Sequence, residues 1–217
     1  MAVPTDPTRK RILDAAEPAF AEHGFAGTSL RALTRQARVN LAAIHYHFGS
    51  KEALLRAVLD RIVAPVNRER LAGLDRLEAE AGDRALTVEE ILAAFLRPAL
   101  DLIRDLGERG RILARFLGRS ATEPTELVQA IVHEQFGEVG IRYLAALERA
   151  LPTVPPGELF WRFKCVIGVL TFLLADPTHL TSPLGAERSQ DSDVELRRLV
   201  AFLAPGVGAP ATFCPQS

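Results

Sequence analysis

The chain is predicted to be all-α, on three observations. Apolar residues recur with a period near 3.6 along most of its 217 residues, no stretch alternates convincingly with period 2, and the periodic runs are separated by cap, stop and proline signals. The predicted organisation is an N-terminal unit of short helices over residues 8–62, a larger helical body over 63–205, and a disordered tail over 206–217.

The first helix is expected from Pro7 to about His23. Asp6 caps it, Pro7 suits its first turn, and Gly24 is a left-handed stop. Ile12, Leu13, Ala16 and Phe20 form one apolar stripe, and Pro18 inside it removes a hydrogen bond, which predicts a kink. A short second helix follows Thr28, with Leu30 and Leu33 inward, and ends near Ala37. A third covers roughly Leu41 to Phe48. Ser50 caps a fourth, which carries Leu54, Leu55, Val58, Leu59 and Ile62 on one face and Glu52 near its positive end; Pro65 marks a bend or break.

Further on, Thr87 and Glu90 form a capping box ahead of Ile91, Leu92, Phe95, Leu96 and Ile103, and Gly107 and Gly110 interrupt. Glu123-Pro124 opens a stretch to about Leu151, with Val128, Val132, Phe136, Val139, Tyr143 and Leu147 on a shared face. Pro155-Pro156-Gly157 opens a helix to about Ala175. A polar loop follows to about Gln190, then Ser192 and Glu195 read as a second capping box for a last helix ending before Pro205.

Composition excludes some classes. With 48% hydrophobic and 24% charged residues the chain is no disordered polyelectrolyte, and its formal charge of −1 makes no global case for a nucleic-acid partner. Residues 1–62, however, hold nine Lys/Arg against six Asp/Glu, an excess of +3 that leaves −4 on the remainder. A basic front suits local phosphate contact, which acts over a Debye length of about 8 Å. Cys165 and Cys214 have no metal or redox spacing, and Cys165, in an apolar run, reads as a buried thiol. The N-terminus lacks the apolar core of a signal peptide, and the longest apolar run, Cys165 to Ala175, is shorter than the roughly 20 residues a membrane span needs. A cytoplasmic protein is expected. His45 and His47 diverge by about 200° on a helix and cannot share a metal within one chain. His133 to Phe136 begins like a zinc-protease signature but lacks its second histidine. No nucleophile triad, carboxylate pair or phosphate loop stands out, so no enzyme activity, cofactor or metal is expected.

The second and third helices, joined by a turn of three or four residues, have helix-turn-helix spacing. Leu33, Ala37, Val39 and Ile44 supply the small or apolar residues where such helices cross, and Asn40, Leu41, Ala42, Ala43, His45 and Tyr46 are placed on the groove-facing side. Spacing alone fits an ordinary helix pair as well. The run TRKRILDAAEPAFAEHGFAGTSLRALTRQARVNLAAIHYHFGSKEALLRAVLDRI narrows the choice: it resembles the N-terminal domain of the TetR/AcrR family of transcriptional regulators. The elements ILDAA, FAEHGF, TSLRAL and YHFGSKEAL occur in that family's order.

The resemblance implies double-stranded DNA as a partner and places roles on matching residues. Thr28 caps the second helix, Ser29 or its backbone meets a phosphate, and Arg31 reaches a base edge or a phosphate. Asn40 opens the recognition helix, followed by Leu41, Ala42 and Ala43; His45, Tyr46 and His47 lie near the backbone and groove wall. Lys51 binds phosphate at a helix N-terminus, and Phe48 belongs to the core. Three residues depart from the family pattern: Arg38 stands where glycine is usual, Leu41 replaces a polar or basic residue, and His45 replaces tyrosine.

The helix from Glu158 to Ala175 is apolar nearly all round, so it is buried on both sides, either in a monomer's centre or between its own core and a second copy. The second arrangement makes a homodimer interface of Phe160, Trp161, Phe163, Ile167 and Leu170 with Leu196, Leu199 and Phe202, as in the resembled family. The family also implies a small-molecule effector pocket, for which Phe95, Leu96, Leu100, Phe116, Phe136 and Tyr143 are candidates, although core packing explains each of them more often than not. The stretches VNLAA and HYHFGSKEAL, with GRSATEP and LFWRF, resemble the PsrA-like branch and point to a fatty acid or acyl-CoA. Arg115 or Arg119 would meet its carboxylate, or else form a surface ion pair. The implied activity is repression from a palindromic operator bound by a dimer and released by an apolar effector.

Overall fold

The computed structural model describes residues 6–107, 110, 112, 116, 118, 126–174 and 191–211. Among these residues no strand occurs, and eight α-helices are delineated: α1 Pro7–Gly27, α2 Leu30–Ala37, α3 Leu41–Phe48, α4 Lys51–Ala81, α5 Val88–Leu106, α6 Glu126–Ala150, α7 Pro156–Leu174 and α8 Ser192–Val207.

Most starts follow local chemistry. The N–H of Thr8 donates to Asp6 Oδ1 at 2.8 Å, that of Ala43 to Asn40 Oδ1 at 2.8 Å, and that of Ala53 to Ser50 Oγ at 3.1 Å. Each side chain satisfies a donor that the first helical turn leaves without an intrahelical partner. The Thr87–Glu90 capping box at α5 closes in both directions.

Elsewhere tertiary structure moves the boundaries. Pro18 keeps helical dihedrals, and α1 breaks instead at Gly24 (φ 70°, ψ 179°) before running on to Gly27. That conformation is essentially confined to glycine. Thr28 does not cap α2; the cap position is Ser29, whose side chain makes no capping bond. The Thr28 hydroxyl is buried and donates to the carbonyls of Gly24 at 2.7 Å and Ala19 at 3.1 Å. It thus serves the Gly24 carbonyl, at the break in α1. Pro65 does not interrupt α4, which stays helical for 31 residues. At α8 the cap is Asp191, which accepts from the N–H groups of Asp193 and Val194, and the helix passes through Pro205. Ser192 instead faces inward, donating to Asp101 Oδ1 at 2.9 Å. Arg162 explains why α8 outlasts Pro205: its guanidinium donates to the carbonyls of Val207, Ala209 and Pro210, beside its ion pair with Glu158.

Two apolar clusters result. The first unites Ile12 and Phe20 of α1, Leu33 of α2, Ile44 of α3 and Leu54 and Val58 of α4, and recruits Phe116, Val128 and Ile131 from beyond the expected head. The second joins Val66 and Leu74 of α4 to side chains of α5, α6, α7 and α8. Helix α4 is therefore common to both. Its links to α6 lie along that shared length: Arg56 pairs with Glu134, and Asn67 Nδ2 donates to the Gln135 carbonyl at 2.7 Å. No helix among the described residues is long and apolar enough to cross a membrane.

Candidate nucleic-acid interface

Helices α2 and α3 meet through Leu33, Ala37 and Ile44, all buried in the first cluster. Their turn depends on Arg38, which is the one non-glycine residue with positive φ among the described residues (φ 53°, ψ 51°). The left-handed turn lets the Val39 N–H donate to the Thr34 carbonyl at 3.0 Å, closing the C-terminus of α2. Asn40 then starts α3 on a new axis.

With Ile44 inward, α3 presents Leu41, Ala42, His45 and Tyr46 outward, and Tyr46 is 86% exposed. Ala43 is half-buried against the cluster. His45 Nδ1 lies 3.0 Å from the Gly49 carbonyl, so this nitrogen carries the proton and Nε2 remains as an acceptor in the neutral ring. His47 is displaced from the expected surface: its side chain is 11% exposed and turns toward Asp6, 3.7 Å away. The N–H of Thr8 holds Asp6 below the usual carboxylate range, with a smaller contribution from His47. Thr28, buried with its hydroxyl engaged in α1, is likewise withdrawn from that surface. Lys51 stands at the first turn of α4 with Nζ 4.7 Å from the Phe25 ring centroid and 3.5 Å from the Ala26 carbonyl.

Charge pairing sorts the basic residues. Lys10 binds Asp14, Arg61 binds Asp14 and Glu17, and Arg9 lies over the Phe48 ring. Arg31, Arg35 and Arg38 are exposed and enter no ion pair among the described residues. Arg35 was not singled out by sequence, and Arg38 only as a departure from glycine in the turn, not as a contact. The signal was the four-residue step from Arg31 to Arg35, which puts both on one face of α2. Together with Ser29 they give a donor-rich, uncompensated edge next to the exposed side of α3. Such a surface can hold phosphates while α3 lies against base edges.

The other candidate sites separate differently. Phe95, Leu96, Leu100 and Tyr143 lie in the body core, whereas Phe116 packs 6.2 Å from the Phe20 ring in the head cluster and cannot line a pocket with them. Phe136 also packs against the head cluster. An open groove between α4 and α5, lined by Pro65, Val66, Arg76, Arg97 and Pro98 among others, contains none of the expected pocket residues. Arg115 and Arg119 lie outside the described residues, as does Cys214. Of the expected interface, Phe163, Leu170, Leu196 and Leu199 turn inward to the body core. Phe160, Trp161, Ile167 and Phe202 are exposed, and Phe172 joins them. Cys165 is exposed on the same helix, not buried. Among the described residues no group of metal-binding side chains converges.

Comparison with known proteins places these features. Residues 12–58 match the sequence profile of bacterial regulatory proteins of the tetR family, and residues 93–206 match that of the tetracyclin repressor-like C-terminal domain. The HTH-type transcriptional regulator UidR of Escherichia coli K12 is 36% identical over 112 residues, 45% of this chain and 56% of UidR. The chain thus spans about half the length of that curated relative. SmeT, the repressor of the Stenotrophomonas maltophilia multidrug efflux pump SmeDEF, has a similar structure, with a TM-score of 0.60, 25% identity and coverage of 97% of this chain and 98% of SmeT. FadR of Bacillus subtilis, solved with stearoyl-CoA, has a similar fold at a TM-score of 0.57 and 17% identity, covering 91% of this chain and 98% of FadR.

Proposed function

Because the chain belongs to the TetR family of transcriptional regulators, with its DNA-binding domain at the N-terminus, we propose that it is a repressor that binds a palindromic operator as a homodimer and leaves it when a small apolar effector occupies the body. The division into a head over 8–62 and a body over 63–205 is part of this reading, with α4 common to both. The observation that carries it is α3, whose Leu41, Ala42, His45 and Tyr46 stand exposed while Ile44 is buried in the core, with Ala43 and Phe48 packed beside it. Ser29, Arg31, Arg35, Arg38 and Lys51 supply phosphate or base contacts around it, and Asn40 sets its start.

Two-fold pairing follows from the faces of α7 and α8. Phe160, Trp161, Ile167, Phe172 and Phe202 are large, apolar and exposed in one copy. A second copy covers them and sets two recognition helices about 34–36 Å apart, one DNA turn. An acyl chain is the favoured effector class, supported by the stearoyl-CoA carried by the similarly folded FadR. Coupling runs along α4, and a factor of roughly 5–150 in DNA affinity, about 1–3 kcal/mol, is the usual size of such a link.

Selection from random DNA, followed by binding across a salt series, tests the reading. An enriched palindrome is expected. Arg31→Ala should lower affinity for it, and Lys51→Ala should flatten the logarithmic salt slope by about one. If neither change alters binding, the proposed surface is wrong. A DNA-binding protein without an effector would bind the same palindrome regardless of any added ligand.

A further inference from the structure

Arg70 is a cation buried without an anion among the described residues. It is 3% exposed on the inner side of α4, in line with Val66, Asn67 and Leu74. Its Nε–H donates to the Phe95 carbonyl at 2.9 Å and an Nη1–H to Asn67 Oδ1 at 3.2 Å. The guanidinium carbon lies 4.1 Å from the centroid of the Phe95 ring and 5.8 Å from that of Phe136. A guanidinium has five N–H donors, and these two bonds engage two of them among the described residues. Burial draws the group down to about 10, opposed only weakly by the neighbouring Tyr143 phenol, and no carboxylate among the described residues pairs with it. A second deeply buried guanidinium among the described residues, Arg162, shows the contrast: it has Glu158 and the carbonyls of Val207, Ala209 and Pro210.

Neutral acceptors and ring faces return only part of what a guanidinium loses on leaving water. For packing alone, leucine or methionine would fill this position at no such cost. The remaining donors form a planar fork that matches a carboxylate, and the walls around it are aromatic: Phe95 stands edge-on to Tyr143 at 5.2 Å and to Phe163 at 4.9 Å. We infer that Arg70 is the anchor of a buried anion site between α4, α5 and α6, which takes an apolar acid with its carboxylate on the guanidinium and its hydrocarbon among these rings.

The inference rests on the effector reading above and adds the head group and the point of attachment. It also adds a route. Asn67, which holds Arg70, is itself tied to α6 through the Gln135 carbonyl, and the preceding residue, Glu134, is the partner of Arg56 in the head half of α4. An anion seated on Arg70 therefore acts next to the residues that tie α4 to α6, on the helix that carries the DNA-binding unit.

Calorimetry on the full chain with sodium octanoate and octan-1-ol tests the anchor. Wild type should bind octanoate roughly tenfold or more tightly than the alcohol. Arg70→Met should abolish that preference, keep the alcohol affinity, and melt no lower than wild type because an unpaired charge has been removed. Arg70→Lys retains the charge without the fork, so it should weaken octanoate while still preferring it to the alcohol, and it serves if the methionine variant does not fold. The anchor is overturned if Arg70→Met keeps the preference, if Arg70→Lys binds octanoate as tightly as wild type, if wild type takes the alcohol equally well, or if octanoate does not bind at about 10 mM. Octanoate that binds as expected yet leaves operator affinity unchanged supports the anchor and removes the effector reading instead.

Discussion

Arg38 holds a left-handed backbone that glycine would adopt without steric cost, and the turn between α2 and α3 depends on it. For an L-residue with a Cβ this conformation costs about 1–2 kcal/mol. Arg38→Gly should therefore raise the unfolding free energy by about 0.5–1 kcal/mol, the steric relief being offset in part by glycine's greater freedom when unfolded. Denaturant unfolding at fixed protein concentration checks this, and an unchanged or lower midpoint would show that the arginine stem compensates. The departure from glycine was legible in sequence, but the way the turn tolerates it was not, since only dihedral angles show that the residue keeps the conformation. Arg70 was less legible still. In sequence it sits in a run rich in charges, which reads as a solvated helix face, and its isolation depends on which side chains α5 and α6 bring to it.

At the scale of elements, caps were legible where the chemistry is local. The α5 capping box involves residues three apart, and its Glu90 is held down to about 2, first by the Arg84 guanidinium and then by the Thr87 N–H. A carboxylate depressed in the folded state contributes stability that is full above its ordinary value and fades as pH falls toward the folded one. Melting followed from pH 6 to pH 2 should therefore lose a contribution from Glu90 between its ordinary 4.5 and about 2. Glu90→Gln should flatten the profile in that window and leave the region above pH 6 parallel to wild type. A profile of unchanged shape would mean that solvent screens the pair completely. The start of α8 was misread for a reason of the opposite kind. Asp191 and Ser192 are both good caps, and the choice is made by Asp101 and Arg104, some ninety residues away, which draw Ser192 inward. The end of α8 depends in the same way on Arg162 reaching across from α7.

For the molecule as a whole, the fold class and the head were legible because helical period and motif order are properties of the chain itself. The division of α7 into inner and outer faces was not, because a helix apolar nearly all round gives no phase to its own burial. The structure supplies that phase, and it makes the dimer reading testable without disturbing the protomer. Trp161 and Phe202 are 61% and 73% exposed, so Trp161→Glu and Phe202→Glu place a charge in water in the single copy and in the apolar seam of a pair. The double variant should sediment as a folded monomer with an unchanged helical signal, since an isolated carboxylate in a dry interface is strongly penalised. Its affinity for the selected palindrome should drop toward that for a half-site, because two heads no longer share one binding event. Phe163→Glu is the informative contrast: Phe163 is 3% exposed in the body core, and a charge there should unfold the protomer itself. A double variant that remains dimeric at micromolar concentration would move the interface off α7 and α8 and leave their exposed rings to some other partner.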